Sequence, residues 1–167
     1  MWEKLINKYR HKGVLVDSNL LIGYMIGTLN PIHLDNCRAT KAFTPDDFIL
    51  LKNFLGQFRK IITTPHVLTE VSNLSGKLPE TLHAEFRAVF RVLIHALSEK
   101  CDSAENISKR DEFLRFGLAD TAISMIAPGS YLVLTDEVSL AGLLQKRGAD
   151  VVNFNHMRMI RMQEMKG

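Results

Sequence analysis

The sequence predicts an α/β protein, a three-layer α/β/α sandwich around a central parallel sheet. Short apolar runs such as "VLV" at 14–16 and "YLVLT" at 131–135 alternate with segments of helical periodicity. The runs are continuously hydrophobic and do not alternate in and out, the pattern of strands covered on both faces. No internal repeat or low-complexity stretch divides the 167 residues, a length that suits one domain. Its core is expected over about 13–154, followed by a basic, methionine-rich tail over 156–167.

Each element follows from local signals. Trp2, Leu5, Ile6 and Tyr9 have helical spacing, and Gly13 separates that helix from the first strand at 14–16. A helix over about 19–28 presents Leu21, Ile22, Met25 and Ile26 on one side. Residues 29–45, with two prolines and mixed polarity, read as a loop or insertion. Thr44 and Pro45 suit the cap and first position of a helix reaching about Phe58. "KIITT" at 60–64 is a β-branched strand, and Pro65 opens a helix closed by Gly76. The longest helix is expected over 80–99, with Leu82, Phe86, Val89, Leu93 and Leu97 as a buried stripe. A weakly patterned connector at 101–108 is the place where a further short strand would hide. Lys109 to Phe116 and "LADTAISMIA" read as helix broken at Gly117. The 131–135 strand, a helix over 137–147 and a last strand, "DVVNF", complete the alternation.

Composition narrows the function classes. The hydrophobic share of 46% supports a sizeable core, and the net charge of +3 permits a nucleic-acid partner without requiring one. No apolar run approaches the roughly 18 residues that span a membrane, and "MWEKLINKYRHKG" lacks a signal peptide's apolar centre. Cys37 and Cys101 stand far apart without metal-ligand spacing, as in a reducing compartment. A cytoplasmic protein without a membrane segment is the expectation.

The acids carry the chemistry. In open parallel sheets, ligands bind beyond the carboxyl ends of the strands. Asp17 follows the first strand and Asp136 follows "YLVLT". Either could simply cap the next helix. Two helical acids alter that balance. Glu70 lies three residues after Val67, beside the stripe of Val67, Val71 and Leu74. Asp120 lies three before Ile123, beside Ala119, Ile123 and Ile126. Neither has a Lys or Arg three or four positions away in its helix, so a local ion pair does not account for them. Inward-facing acids cost free energy unless they are paired or bound to a cation. If Asp17, Glu70, Asp120 and Asp136 converge, an all-oxygen ligand set favours Mg²⁺ or Mn²⁺ over zinc. Such a set suits phosphodiester hydrolysis. Ser18 and Asn19 would orient Asp17 or bond the phosphate.

The motifs "VLVDSNLLI", "TPHVLTEVSNL", "GLADTAISMIA" and "LVLTDEVSLAGLLQKRGADVVNF", in this order and spacing, resemble the PIN-domain nucleases from about residue 13 to 154. The resemblance implies one PIN-like domain over 1–167 and Mg²⁺- or Mn²⁺-dependent endonucleolytic cleavage of RNA, often single-stranded, leaving 5′-phosphate and 3′-hydroxyl ends. It makes Asp17, Glu70 and Asp120 the first three acids, with Asp17 and Asp120 the main metal ligands. For the fourth, "LTDE" offers Asp136, preferred here, and Glu137 as its competitor. Thr135 would support the site by hydrogen bonding, and Asn73 would contact the site's periphery or the substrate. Many small PIN proteins are toxins of the VapC type held by an antitoxin protein, though usually shorter. The additional length here lies in 29–45 and the tail. A catalytically weak PIN-like protein that binds RNA or serves a regulatory interaction is the alternative.

Other chemistries fit less well. There is no Gly-rich phosphate loop, no HExxH and no G-x-S-x-G. His66 and His95 read as ordinary helix residues. An aspartate-nucleophile phosphatase would want a second Asp where Asn19 stands, and a receiver domain would want an acidic pair at the first strand's end. Of the basic pairs, Arg158 and Arg161 are the preferred candidates for RNA contact or a partner surface. Aromatic residues make up only 8%, so no stacking platform is evident. Met157, Met159, Met162 and Met165 could pack in a homo-oligomer interface or fray.

Overall fold

Val14, Leu15 and Val16 are fully buried and form β1 (Val14–Val16), the middle strand of a five-stranded sheet. The computed structural model describes residues 2–164. The other strands are β2 (Ile61–Thr63), β3 (Ser98–Glu99), β4 (Leu132–Thr135) and β5 (Val151–Asn153). They lie in the order β3-β2-β1-β4-β5, and every pairing is parallel. Helices flank the sheet, giving the α/β/α sandwich the alternation predicts. They are α1 (Glu3–Tyr9), α2 (Ser18–Leu29), α3 (Pro45–Leu55), α4 (Pro65–Ser75), α5 (Glu80–Ala96), α6 (Ala104–Ser108), α7 (Phe113–Ile126), α8 (Val138–Lys146) and α9 (Phe154–Glu164). No helix among the described residues is long and apolar enough to cross a membrane. Cys37, buried, and Cys101, exposed, are both free thiols.

This strand order fixes where a ligand can sit. The chain steps from β1 to β2 to β3 in one direction, then crosses back to β4 and continues to β5. The connections leaving β1 and β4 therefore diverge, and a crevice opens between their carboxyl ends, the usual ligand position in such sheets. The register sets Val16 beside Leu134, so Asp17 and the residues after Thr135 emerge side by side.

Local chemistry starts the helices around that crevice. Asp17 caps α2 by accepting a hydrogen bond from the Leu20 amide at 2.9 Å. Thr64 caps α4 through the Val67 amide, with Pro65 at the first position. Thr44 and Asp47 form a reciprocal capping box at α3. Gly27 lets α2 and α3 approach closely, because a Cβ there would lie 2.2 Å from the Phe48 ring. In α7, Gly117 has φ 72° and ψ −166°, a conformation that side chains with a Cβ rarely adopt. The helix kinks there and restarts at Leu118.

Four expectations are corrected. Residues 29–45 are not wholly irregular: they contain 3₁₀ turns at Pro31–Asn36 and Arg38–Thr40, and Leu34, Cys37 and Phe43 enter the core. The helix expected over 80–99 ends at Ala96, and the edge strand is Ser98–Glu99; within 101–108, Ala104–Ser108 is helical. The α5 stripe is only half-buried apart from Phe86, and Val92 beside it is 68% exposed. Lastly, the tail is α9, a core helix. Phe154 and Met157 are buried, Phe154 stacks on Phe43 at 5.7 Å, and the two side chains together contribute roughly 3–6 kcal/mol. Met159 and Met162 are exposed on α9, and Met165 lies outside the described residues.

Candidate active site

Four acids from distant parts of the chain wall one cleft of about 190 Å³: Asp17, Glu70, Asp120 and Glu137. Asp17 comes from the end of β1, Glu70 from the middle of α4, Asp120 from α7 just past its kink, and Glu137 from the corner after β4. Ser18, Asn19 and the Phe116–Ala119 segment complete the lining. Among the described residues, no Lys, Arg or His lines it.

Asp17 is the best held of the four, and only 4% exposed. One oxygen, Oδ1, caps α2 through Leu20. The other, Oδ2, accepts hydrogen bonds from the Thr135 hydroxyl and from the Asp136 amide at 3.2 Å. Capping and site geometry are therefore served by one carboxylate. Thr135 also receives the Glu137 amide at 3.0 Å, so a single buried hydroxyl ties the end of β4 to Asp17 and orients the Asp136–Glu137 corner. Ser18 donates its hydroxyl to Glu70 Oε2, linking the start of α2 to α4.

Within the cleft the acids have no cationic partner in the lining among the described residues. Burial and then the charge of Asp136 push Asp17 up to about 7, although Thr135, Leu20 and the Asp136 amide favour its ionised form. Burial, Glu137 and Glu70 push Asp120 up to about 7. Asp136 is raised too, chiefly by burial, while Arg158 and a hydrogen bond from Asn19 pull it back.

The expected site residues divide into three groups. Asp17, Ser18, Asn19, Glu70, Asp120 and Glu137 meet at the cleft, with Thr135 behind Asp17. Asp136 does not line it. The turn after β4 directs Glu137 into the cleft, while Asp136 takes the Asn19 side chain and its carbonyl accepts Asn155 Nδ2 at 2.7 Å. The fourth wall residue is thus Glu137, in place of the preferred Asp136. Asn73 lies one turn beyond Glu70, in an adjoining groove.

Arg158 and Arg161 serve the fold. The Arg158 guanidinium lies against the Phe154 and Phe43 rings at 4.9 and 5.3 Å, and Nε is 3.1 Å from Asp47 Oδ1, an ion pair without an aligned N–H bond. Arg161 donates to the Asp46 carbonyl at 2.6 Å. Phe116, Gly117, Leu118 and Ala119 were missed as lining residues. The signal available in the sequence was the glycine three places before Asp120.

The donor chemistry suits a hard divalent cation: the four acidic side chains, Ser18 and Asn19 all offer oxygen, and the acids carry uncompensated charge. As the side chains stand, no group of three or more His, Cys, Asp or Glu among the described residues is spaced to hold a metal ion. Glu70 accepts from Ser18, and the exposed Glu137 accepts from Ser139 Oγ at 2.6 Å. Comparisons with family models, with curated proteins and with solved structures find no match to this chain.

Proposed function

We propose that this protein is an endoribonuclease that hydrolyses RNA phosphodiester bonds with the help of Mg²⁺ or Mn²⁺. One observation carries the reading: four carboxylates from four separate elements wall one cleft at the crevice between β1 and β4, with no cation in its lining among the described residues. Asp17, Asp120, Glu70 and Glu137 would hold the ion. When bound, a divalent cation offsets their charge, neutralises phosphate oxygens and acidifies a water for attack on phosphorus. The chain's own part is placement. Thr135 and two backbone amides fix Asp17 in one rotamer. Ser18 holds Glu70 facing the cleft. Exposed Asn19 offers an amide at the rim where a phosphate oxygen would lie.

The spacing of the acids favours a second reading, a PIN-like RNA-binding or regulatory protein with little catalysis, because no three of them already stand at ligand distance. One assay separates the two. Single-stranded RNA is incubated with Mn²⁺, with and without chelator, beside Asp17→Asn. The hydrolase reading expects chelator-sensitive cleavage that falls by about a hundredfold or more in the variant, the scale on which one member of a preorganised set counts. Equal cleavage by the variant would end it.

A further inference from the structure

Every strand pairing in the sheet is parallel, so the segments that enter the strands gather at one pole and the segments that leave them at the other. The two poles differ in charge. The leaving segments, Asp17, Thr64, 100–103 and 136–137, carry Asp17, Asp102, Asp136 and Glu137 against one cation, Lys100. The entering segments, 10–13, 56–60, Leu97, 127–131 and 147–150, carry Arg10, Lys12, Arg59, Lys60 and Arg147, with His11, against one acid, Asp150. Arg147 and Asp150 are already matched, Arg147 by Glu112 and Asp150 by Lys8 and Tyr9. Arg10, His11, Lys12, Arg59 and Lys60 are all exposed, and none forms an ion pair among the described residues.

Backbone contacts hold these five together. The Arg59 amide donates to the Arg10 carbonyl at 2.9 Å and the Val14 amide to the Lys60 carbonyl at 3.1 Å, which lays the two segments side by side. Lys12 Nζ reaches across to the Gly129 carbonyl at 3.1 Å, bringing in the segment before β4. The patch is thus no run of charge along one stretch, but two stretches far apart in sequence and hydrogen-bonded into one surface. Like charges held this way repel, and an anion relieves them. Of the aromatic residues in the entering segments, Phe58 is buried and Tyr131 half-buried, so no exposed ring is presented for a base to stack on. Exposed cations without rings contact phosphates and do not read sequence.

We infer that the pole at the strands' amino ends is a binding site for the phosphate backbone of RNA, separate from the acid cleft and suited to a base-paired segment. The choice of RNA as the polyanion rests on the function proposed above. A duplex carries about one charge per 1.7 Å of its length and need unstack no base, which matches a cationic patch without rings. The carboxylates at the other pole repel phosphate until a cation is bound, so the metal-free chain meets RNA with this pole first. The substrate is then an RNA with a paired part that anchors here and a further part that reaches the acids around the side of the molecule.

The test reads binding in chelator, where the anchoring pole acts alone. A fluorescein-labelled RNA duplex of about 20 base pairs is titrated with the full chain between about 50 and 200 mM salt. One variant combines Arg10→Gln, Arg59→Gln and Lys60→Gln. A control with the same change of charge combines Lys77→Gln, just before α5, with Arg87→Gln and Arg91→Gln on it; all six positions are exposed, and thermal melts verify that both variants are folded. The first variant should bind the duplex about tenfold or more weakly at the lower salt, and its slope of log K against log salt should shrink by about 2 to 3. The control should keep the slope, and the duplex should bind at least as tightly as either of its single strands. Equal losses from the two variants would overturn the inference, because binding would then follow net charge and not the pole. A preference for single strands, or equal displacement of the duplex by polyglutamate of the same charge, would overturn it as well. Pole-dependent binding without chelator-sensitive cleavage in Mn²⁺ would sink the hydrolase reading and leave the inference standing. Cleavage by a chain whose two variants bind alike would do the reverse, and absence of both binding and cleavage would sink the two together.

Discussion

Two acids of one helical stretch, Glu112 buried just before it and Asp120 half-buried within it, have opposite surroundings. Glu112, which precedes α7, is 8% exposed and fully partnered: Arg147 Nη2 lies 2.5 Å from Oε2, Arg110 Nε 3.7 Å from Oε1, and Ser124 donates at 3.1 Å. Burial pushes its carboxyl up, but its own backbone amide, Ser124 and the two arginines outweigh burial and hold it below the ordinary value. Eight residues on, Asp120 has Glu137 and Glu70 for company and is pushed up to about 7. The first arrangement lowers the free energy of the folded chain. The second raises it, a cost that the cation of the proposed function would remove. Burial alone does not separate the two acids; the presence or absence of a cation does.

The sharpest way to break this contrast is to remove the cation that Glu112 has. Arg147→Ala leaves a buried carboxylate without its closest partner, and stability to urea should fall by about 3 kcal/mol, the low end for a broken buried pair because Arg147 is half-exposed. A loss below about 0.5 kcal/mol would make Glu112 no better paired than Asp120.

The pH dependence should come next in size, with opposite slopes for the two acids. Asp17 and Asp120 release their protons near 3.8 in the unfolded chain but near 7 in the fold. Between those values the folded state binds more protons, so this contribution to stability falls as pH rises from about 4 to 7. Glu112 does the reverse: its contribution is present above the ordinary glutamate range and lost as pH falls through its depressed value. Metal-free protein should therefore lose on the order of 2 kcal/mol between pH 5 and 7.5, after discounting for the partial exposure of Asp120. Millimolar Mn²⁺ should restore most of it. A melting temperature flat across that range would show the acids to be compensated already.

The smallest expected effect has the opposite sign to the first. Asp120→Asn removes the repulsion while keeping the shape, and should stabilise metal-free protein at pH 7.5 by about 1 kcal/mol. Destabilisation by the same substitution would mean that the carboxylate has a structural partner.

Much of the frame was legible in the sequence because it depends on local chemistry. The strand at 14–16 ending on Asp17, the Thr44-Pro45 and Pro65 helix starts and the Gly117 break are all where their residues put them. What escaped depends on contacts far apart along the chain. Ser98–Glu99 is a strand only because Ile62 and Thr63 lie beside it, and nothing apolar announces it. Glu137 reaches the cleft in place of Asp136 because Thr135 and Asn155 set the turn between them. Arg158 read as a surface cation, but Asp47 and Phe43, distant in the chain, hold it inside together with Phe154 one turn back.

The last helix gives that arrangement a practical reach. Asn155 grips the carbonyl of Asp136, and Arg158, three residues on, joins the same helix to Asp47 and so to the cap of α3. A protease nick after Asn153 would not shorten an appendage. It would unpin the corner that carries Glu137 and bare the Phe43 ring to water, so damage at this end of the chain would be felt across the molecule, among the carboxylates.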